Sequence, residues 1–464
     1  MDLAAGQVVE KFQVYQARDI DKLVQLKRLG AKQIAEIKAV AAVFPFRVNN
    51  YVVEELINWD QIPDDPIFRL TFPQAGMLED EDLRRMVHLI SNNAPPLQIK
   101  AEARAIQMKL NPHPAGQMDL NVPVKDDDAI SGIQHKYDET LLFFPTQGQT
   151  CHAYCTYCFR WAQFVGLEDL RFAARETDAL VSYLQKHPDV TDVLITGGDP
   201  LVMKTKVLRR YLEPLIKNKP GGLATIRLGT KSTAYWPYRF LSDRDADDLL
   251  RLFEEVNAAG IHLSIMSHYS HPRELETPAA QAAVKRILST GAVVRCQAPL
   301  IKGVNDNPHV WADMWRKQVA LGAIPYYMFV ERDTGPKHYF EVNLHRALDI
   351  FQDAYRQVSG LCRTVRGPSM SCTPGKVLID GVCTIGGEKV FALKFIQGRS
   401  AQWVNKLFFA KYDPTATWFS DLKPAFGDDH FFFEDDLQQL REERSQLSAR
   451  KEQVLNSQYA ELSN

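Results

Sequence analysis

"TLLFFPTQGQTCHAYCTYCFR", residues 140–160, joins a short apolar and aromatic run to three cysteines, Cys151, Cys155 and Cys158. The run has the composition of a strand, and runs of its kind recur down the chain. They are "DVLIT" from Asp192, "ATIRLGT" from Ala224, "IHLSIMS" from Ile261, "AVVRCQAPL" from Ala292 and "IPYYMFV" from Ile324. Each is followed by an amphipathic segment such as "ADDLLRLFEEVNAAG". Four of those segments end in glycine (Gly260, Gly291, Gly322, Gly360), the residue best suited to the left-handed turn that closes a helix. Strand alternating with helix predicts a parallel α/β sheet. Six units fall short of the eight in a closed barrel, so a partial, open (βα)6 TIM-type barrel is expected over residues 136–360. Residues 1–135 read as an N-terminal helical and loop region. Residues 361–464 read as a C-terminal extension, in which "KVLIDGVCTIGGEKVFALKF" predicts strands joined at Asp380-Gly381. An aromatic segment and a charged helix from about Asp435 complete it.

The bulk numbers exclude several classes. Lys and Arg (55) nearly balance Asp and Glu (57) in 464 residues, so no net field attracts nucleic acid or an acidic membrane. The N-terminus lacks a basic start followed by an apolar run, so no signal peptide is expected. The apolar stretch "AVAAVFPF" is far short of the roughly 20 residues of a membrane span. Seven cysteines without an export signal argue against a disulfide framework. The expectation is a cytoplasmic protein whose cysteines are thiols or metal ligands.

Three readings of the cysteine triad compete: buried structural thiols, a zinc site, or a [4Fe–4S] cluster held by three thiolates with one iron open. Zinc wants a fourth Cys or His at matching spacing. The triad follows the first strand of the barrel-like repeat, at the C-terminal mouth where such folds carry their chemistry, which favours the cluster.

C-x-x-x-C-x-x-C in this place resembles the radical S-adenosylmethionine (SAM) superfamily, and "ITGGDP" (195–200), one unit later, resembles its glycine-rich turn. The likeness is narrower still. "NYVVEELINWDQIPDDPIFRLTFPQ", "HKYDETLLFFPT", "CHAYCTYCFR", "GGDPL", "HYSHPREL", "QAPLIKGVND" and "IPYYMFV" resemble the lysine 2,3-aminomutase family over roughly residues 45 to 395. That resemblance implies a [4Fe–4S] cluster, SAM as radical source, pyridoxal 5′-phosphate (PLP) as carrier of a migrating amino group, and an electron donor such as flavodoxin or ferredoxin. Carried over residue by residue, it implies that Cys151, Cys155 and Cys158 ligate the cluster. Tyr157, Gly197, Gly198, Asp199, His271 and Gln297 fall around SAM, and Arg160 is the clamp on the substrate carboxylate. Lys136 falls at the PLP phosphate, and Lys376, in "TPGKV", where the family attaches the cofactor.

Departures from the family pattern bear on the substrate. The glycine run before the PLP lysine is replaced by "GPSMSCTPGK", and the family's C-terminal zinc cysteines have no counterpart, so no structural zinc is expected. Two aspartates that grip the lysine ε-ammonium fall at or beside Arg332, with Asp333 adjoining, and at Arg366. A substrate amino acid or acid other than free lysine, with an anionic or neutral far end, follows from that exchange. The rivals are a PLP-independent radical SAM epimerase, dehydrogenase or mutase, and a non-catalytic SAM-binding sensor. The aromatic segment is read either as a homo-oligomer interface or as a wrap over the protein's own flank.

Overall fold

Residues 11–446, apart from 118–119, 126–127, 167–171 and 175–176, are described by a computed structural model. Near the N-terminus β1 (Val14–Gln16) pairs antiparallel with β2 (Arg47–Asn49). A small ladder joins β3 (Val124–Lys125) to β4 (Asp128–Ala129), and β5 (Ile133–Tyr137) pairs antiparallel with β6 (Thr140–Phe143). The sequence repeats then build a parallel array. β6 is followed by β7 (Asp192–Ile195), β8 (Thr225–Thr230), β9 (His262–His268), β10 (Val293–Leu300) and β11 (Ile324–Val330), each beside its predecessor.

The alternation of the strands separates two environments. In β8, Ile226, Leu228 and Thr230 are buried, whereas Thr225, Arg227 and Gly229 between them are less so. The surrounding helices bring their apolar stripes to the same core, with Leu249, Phe253, Ala283, Ile287, Trp311 and Trp315 all buried. Gly260, Gly291 and Gly322 take the expected positive φ (75°, 82° and 84°). Gly360 instead opens a short turn, Gly360–Cys362.

A seventh parallel strand, β12 (Arg366–Ser371), lies on β11, with Tyr327 opposite Arg366. Its sequence, RGPSMS, has no β-branched or aromatic residue, so propensity does not announce it. Pairing with the free edge of β11 forms it. At Gly367 an added Cβ would meet the Met328 carbonyl oxygen at 2.6 Å, so only glycine permits the approach.

Antiparallel β13 (Gly375–Ile385), β14 (Glu388–Gly398) and β15 (Leu407–Lys411) extend the same sheet. The turn expected at Asp380-Gly381 is not there. β13 runs through it, with a register shift between Ile379 and Gly381, and the chain reverses at Gly386 and Gly387 (φ 58° and 86°). Two successive positive φ values are what a two-residue hairpin requires, and two glycines meet them without a Cβ clash.

The completed sheet has eleven strands, from β5 at one edge to β15 at the other, so the barrel is open. β14 nevertheless passes close to β5 without a ladder between them. The aromatic segment folds back on this extension: Phe395, Trp403, Phe408, Trp418, Phe431 and Phe433 form a second buried core. The wrap therefore consumes most of these rings, while Phe426 and Phe432 stay 45% and 42% exposed. Residues 434–446 are helical, the charged helix read from the sequence. Among the described residues no helix is long and apolar enough to cross a membrane.

Candidate active site

The three cysteines sit in the loop after β6, at the C-terminal end of the parallel strands, and each keeps some exposed surface. The N-terminal region clamps this loop. Tyr154 N donates to Arg47 O (2.8 Å) and Thr156 N to Leu70 O (2.9 Å). The Asn49 amide donates to the carbonyls of His152 (3.2 Å) and Tyr235 (2.8 Å). The loop rests on the glycine turn after β7. Asp199 N donates to Thr150 O (2.7 Å) and Gly198 N to Gly148 O (3.1 Å). A Cβ on Gly198 would strike the Thr150 backbone at 2.4 Å, and one on Gly197 (φ 144°) the Gln149 amide at 2.1 Å. These glycines therefore bring the cysteine loop and the turn into contact.

Asp199 is saturated by the protein. Thr230 Oγ1 donates to both carboxylate oxygens (2.8 Å each), joined by Lys231 N (2.9 Å), Leu201 N (2.9 Å) and Ser232 Oγ (3.0 Å). Burial raises its pKa and these bonds oppose the rise. With its lone pairs occupied, Asp199 ties β7 to β8 beneath the cysteines.

Enclosure pushes all three thiols upward, Cys158 to about 12. Against that trend the Lys231 charge and the Tyr157 and Tyr235 hydroxyls pull Cys155 down. Lys231 Nζ forms an ion pair with Glu274 (2.8 Å), whose side chain is wholly buried. Tyr157 OH lies 2.8 Å from Ser270 Oγ. Among the described residues no three His, Cys, Asp or Glu side chains converge on a single metal ion. The donor set fits a larger centre whose irons take one thiolate each, and a bound cation reverses the protonation that burial favours.

Gln297 and His271 part company. Gln297 Nε2 donates to His268 Nε2 (2.7 Å) at the mouth end of β9, where burial lowers the histidine pKa to about 3. His271 Nδ1 accepts from Arg273 N (3.2 Å), capping the turn Pro272–Leu275. Of its charged neighbours, Asp313 and Lys317 stand on the outer helix Pro308–Ala320 and Arg273 pairs with Asp65, and burial lowers its pKa to about 4. His268, Ser270, Lys231, Glu274 and Tyr235 were not singled out in the sequence. Polar residues at the C-terminal ends of barrel strands are the signal that points to the first three.

Arg160 and Arg332 flank one ring: their guanidinium carbons lie 5.3 and 4.7 Å from the centre of Phe159, and Arg160 is 4.2 Å from that of Phe144. Burial lowers the Arg160 pKa to about 9, and no carboxylate pairs with it among the described residues. Arg332 Nη2 donates to Ser371 O (3.1 Å). Its Nε and Asp333 Oδ1 are enclosed without a hydrogen-bond partner among the described residues. Glu331 is buried and its pKa raised well above the usual range. Lys136 Nζ donates to the Cys372 carbonyl, and burial with the Arg399 and Arg332 charges lowers its pKa strongly.

Arg366 packs on other rings than Arg332 does. It stacks on Tyr326 (4.4 Å) and Tyr327 (4.3 Å), and Lys376 Nζ lies 4.2 Å from the centre of the same Tyr327 ring. Both residues line a cavity of about 260 Å³. Burial first, then the Arg227 and Arg366 charges, brings the Lys376 pKa to about 7. An amine about half neutral at pH 7, beside aromatic rings and guanidinium groups, fits an aromatic aldehyde bearing a phosphate.

No family model matches the chain. A protein of Aquifex aeolicus (strain VF5) named "Putative L-lysine 2,3-aminomutase" is 30% identical over 397 residues, 85% of this chain and 92% of that one. The chain belongs to the lysine 2,3-aminomutase family. The L-lysine 2,3-aminomutase of Clostridium subterminale is 26% identical over 277 residues, 59% of this chain and 62% of its own. The glutamate 2,3-aminomutase of Clostridioides difficile (strain 630) is 25% identical over 345 residues, 74% of this chain and 69% of its own. As a member of the lysine 2,3-aminomutase family the protein is a radical SAM enzyme of the isomerase class.

Proposed function

We propose that this enzyme moves an amino group between neighbouring carbons of a small acidic amino acid, using a [4Fe–4S] cluster on Cys151, Cys155 and Cys158, SAM, and PLP on Lys376. The observation that carries the reading is Arg160, a half-buried guanidinium without a carboxylate partner among the described residues, two residues past the third cysteine. When bound, the cluster and SAM supply a 5′-deoxyadenosyl radical that takes a hydrogen atom, and PLP supplies a conjugated ring for the migrating nitrogen.

The chain's own residues bind and orient. Arg160 receives the α-carboxylate through its planar fork, held in place by Phe144 and Phe159. Arg332, on the same ring, takes the far end, its Nε being an enclosed donor with no acceptor among the described residues. Asp199 holds the cysteine loop through its backbone N–H and the end of β8 through its carboxylate. Lys231 places a positive charge near Cys155, where the thiolate has to be stabilised. That a relative is named glutamate 2,3-aminomutase supports an acidic substrate.

An amino-acid panel tests the substrate. Glutamate or a similar acidic compound, offered with SAM and reductant without oxygen, is expected to release more 5′-deoxyadenosine than lysine does. Faster release with lysine refutes the acidic far end and assigns Asp333 Oδ1 to the ε-ammonium.

Attachment at Lys376 has its own signature in pH. A protonated amine does not attack a carbonyl, so the reactive fraction grows as pH rises through the lysine pKa. With that pKa at about 7, borohydride-trapped PLP on Lys376 should be half-maximal near neutrality and level above it. An ordinary lysine, at about 10.4, would not plateau there. Peptide mapping reads the site. Label on another lysine, or no label at saturation, favours the PLP-independent alternative.

A further inference from the structure

The cavity beside Lys376 has a charge pattern that attachment alone leaves unexplained. It lies by the first residues of β7 and β12 and holds Asp192, Arg227, Tyr326, Tyr327 and Arg366 with Lys376. Arg227 pairs with Asp192 through Nε (2.8 Å) and Nη2 (2.6 Å), which leaves other N–H donors on the same guanidinium. Arg366 has no carboxylate partner among the described residues and packs over the two tyrosine rings, which stand at 77° to each other. Asp138 and Glu139 also line the cavity, but both are exposed to solvent.

We propose that this cavity contains a phosphate site, with Arg227 and Arg366 as its two guanidiniums, and that the phosphate is the cofactor's. The proposal rests on Lys376 as the attachment point. A phosphate monoester carries three acceptor oxygens and up to two charges, which suits paired arginine forks. Lys136, the position that the family resemblance assigns to this phosphate, is a poorer partner. It lines a different cavity, with Leu120, His135 and Arg399, and its Nζ is donated to the Cys372 carbonyl.

Equilibrium dialysis of the full-length protein, purified free of PLP, against PLP and against pyridoxal, which lacks the phosphate, tests the proposal. Wild-type protein is expected to prefer PLP by about a hundredfold, from two charge-assisted contacts. Arg366→Gln should weaken PLP binding about tenfold or more while leaving pyridoxal affinity unchanged. Arg366→Lys should restore part of the loss, and inorganic phosphate should compete with PLP in wild type more than in Arg366→Gln. Thermal melting checks that each variant is folded. Lys136→Gln should keep the preference, and Lys376→Ala should keep it while losing the covalent label. The proposal is overturned if wild type shows no preference, if Arg366→Gln retains it, or if Lys136→Gln abolishes it. It is also overturned if Arg366→Gln raises the amino-acid KM with the PLP preference intact, which would make the anion the substrate's carboxylate. A preference for PLP with the label on another lysine sinks the Lys376 reading and leaves the phosphate site supported.

Discussion

Cys155→Ala protein, reconstituted with iron and sulfide without oxygen, is expected to release no 5′-deoxyadenosine from SAM and reductant. A four-iron cluster bound by three thiolates has one iron open for SAM, and removing a thiolate destroys that division of roles. Cys155 is the thiol on which the protein acts most visibly, through the Tyr157 and Tyr235 hydroxyls and the Lys231 charge. Its loop is held by backbone bonds to Arg47, Leu70, Gly198 and Asp199, none of which involves the sulfur. The variant should therefore fold, and its thermal melting should match wild type while its iron content falls. A full complement of four irons with unchanged turnover would refute the ligand assignment.

Arg160→Gln should lower kcat/KM for the amino acid by about a hundredfold or more, with SAM affinity little changed. Burial works against the charge on Arg160, and an incoming carboxylate relieves that cost by forming charge-assisted bonds. Truncating one partner of such an enclosed pair costs about 2–5 kcal/mol, and each 1.36 kcal/mol is a factor of about ten. Arg160→Lys should recover only part, because an ammonium lacks the planar fork and the stacking on Phe144 and Phe159. Steady-state kinetics with the best substrate of the panel, beside direct SAM binding, separates the two ligands. Equal loss of SAM affinity and substrate turnover would show that Arg160 serves the mouth as a whole.

Much of this site was legible along the chain because its chemistry is local. Cys151, Cys155 and Cys158 lie within eight residues, and Tyr157 and Arg160 beside them. Short spacing in one loop brings side chains together whatever the rest of the fold does. The strands from Thr140, Asp192, Thr225, His262, Val293 and Ile324 were equally readable, since a strand packed on both faces is a run of apolar and β-branched residues.

Other features required the folded chain. The two histidines of "HYSHP" are three residues apart and equal on paper. The turn after β9 sends His271 toward an outer helix and leaves His268 with Gln297. Arg332 and Arg366 looked alike as replacements for acids, yet one stacks on Phe159 and the other on Tyr326 and Tyr327. β12 carries no propensity signal and exists because β11 offers it an edge.

By itself the sequence determined the parallel α/β architecture, the cysteine loop at its mouth and the family, all of which depend on neighbouring residues and on periodicity. Tertiary structure alone decided that residues 47–70 clamp that loop, that Asp199 is saturated by the strand beside it, and that Lys376 shares a cavity with Arg227 and Arg366. Arg227 and Lys376 lie far apart in the chain and meet only because the sheet carries β13 back across the barrel's open side. Pairings of that kind are set by strand register and burial, which no local pattern encodes.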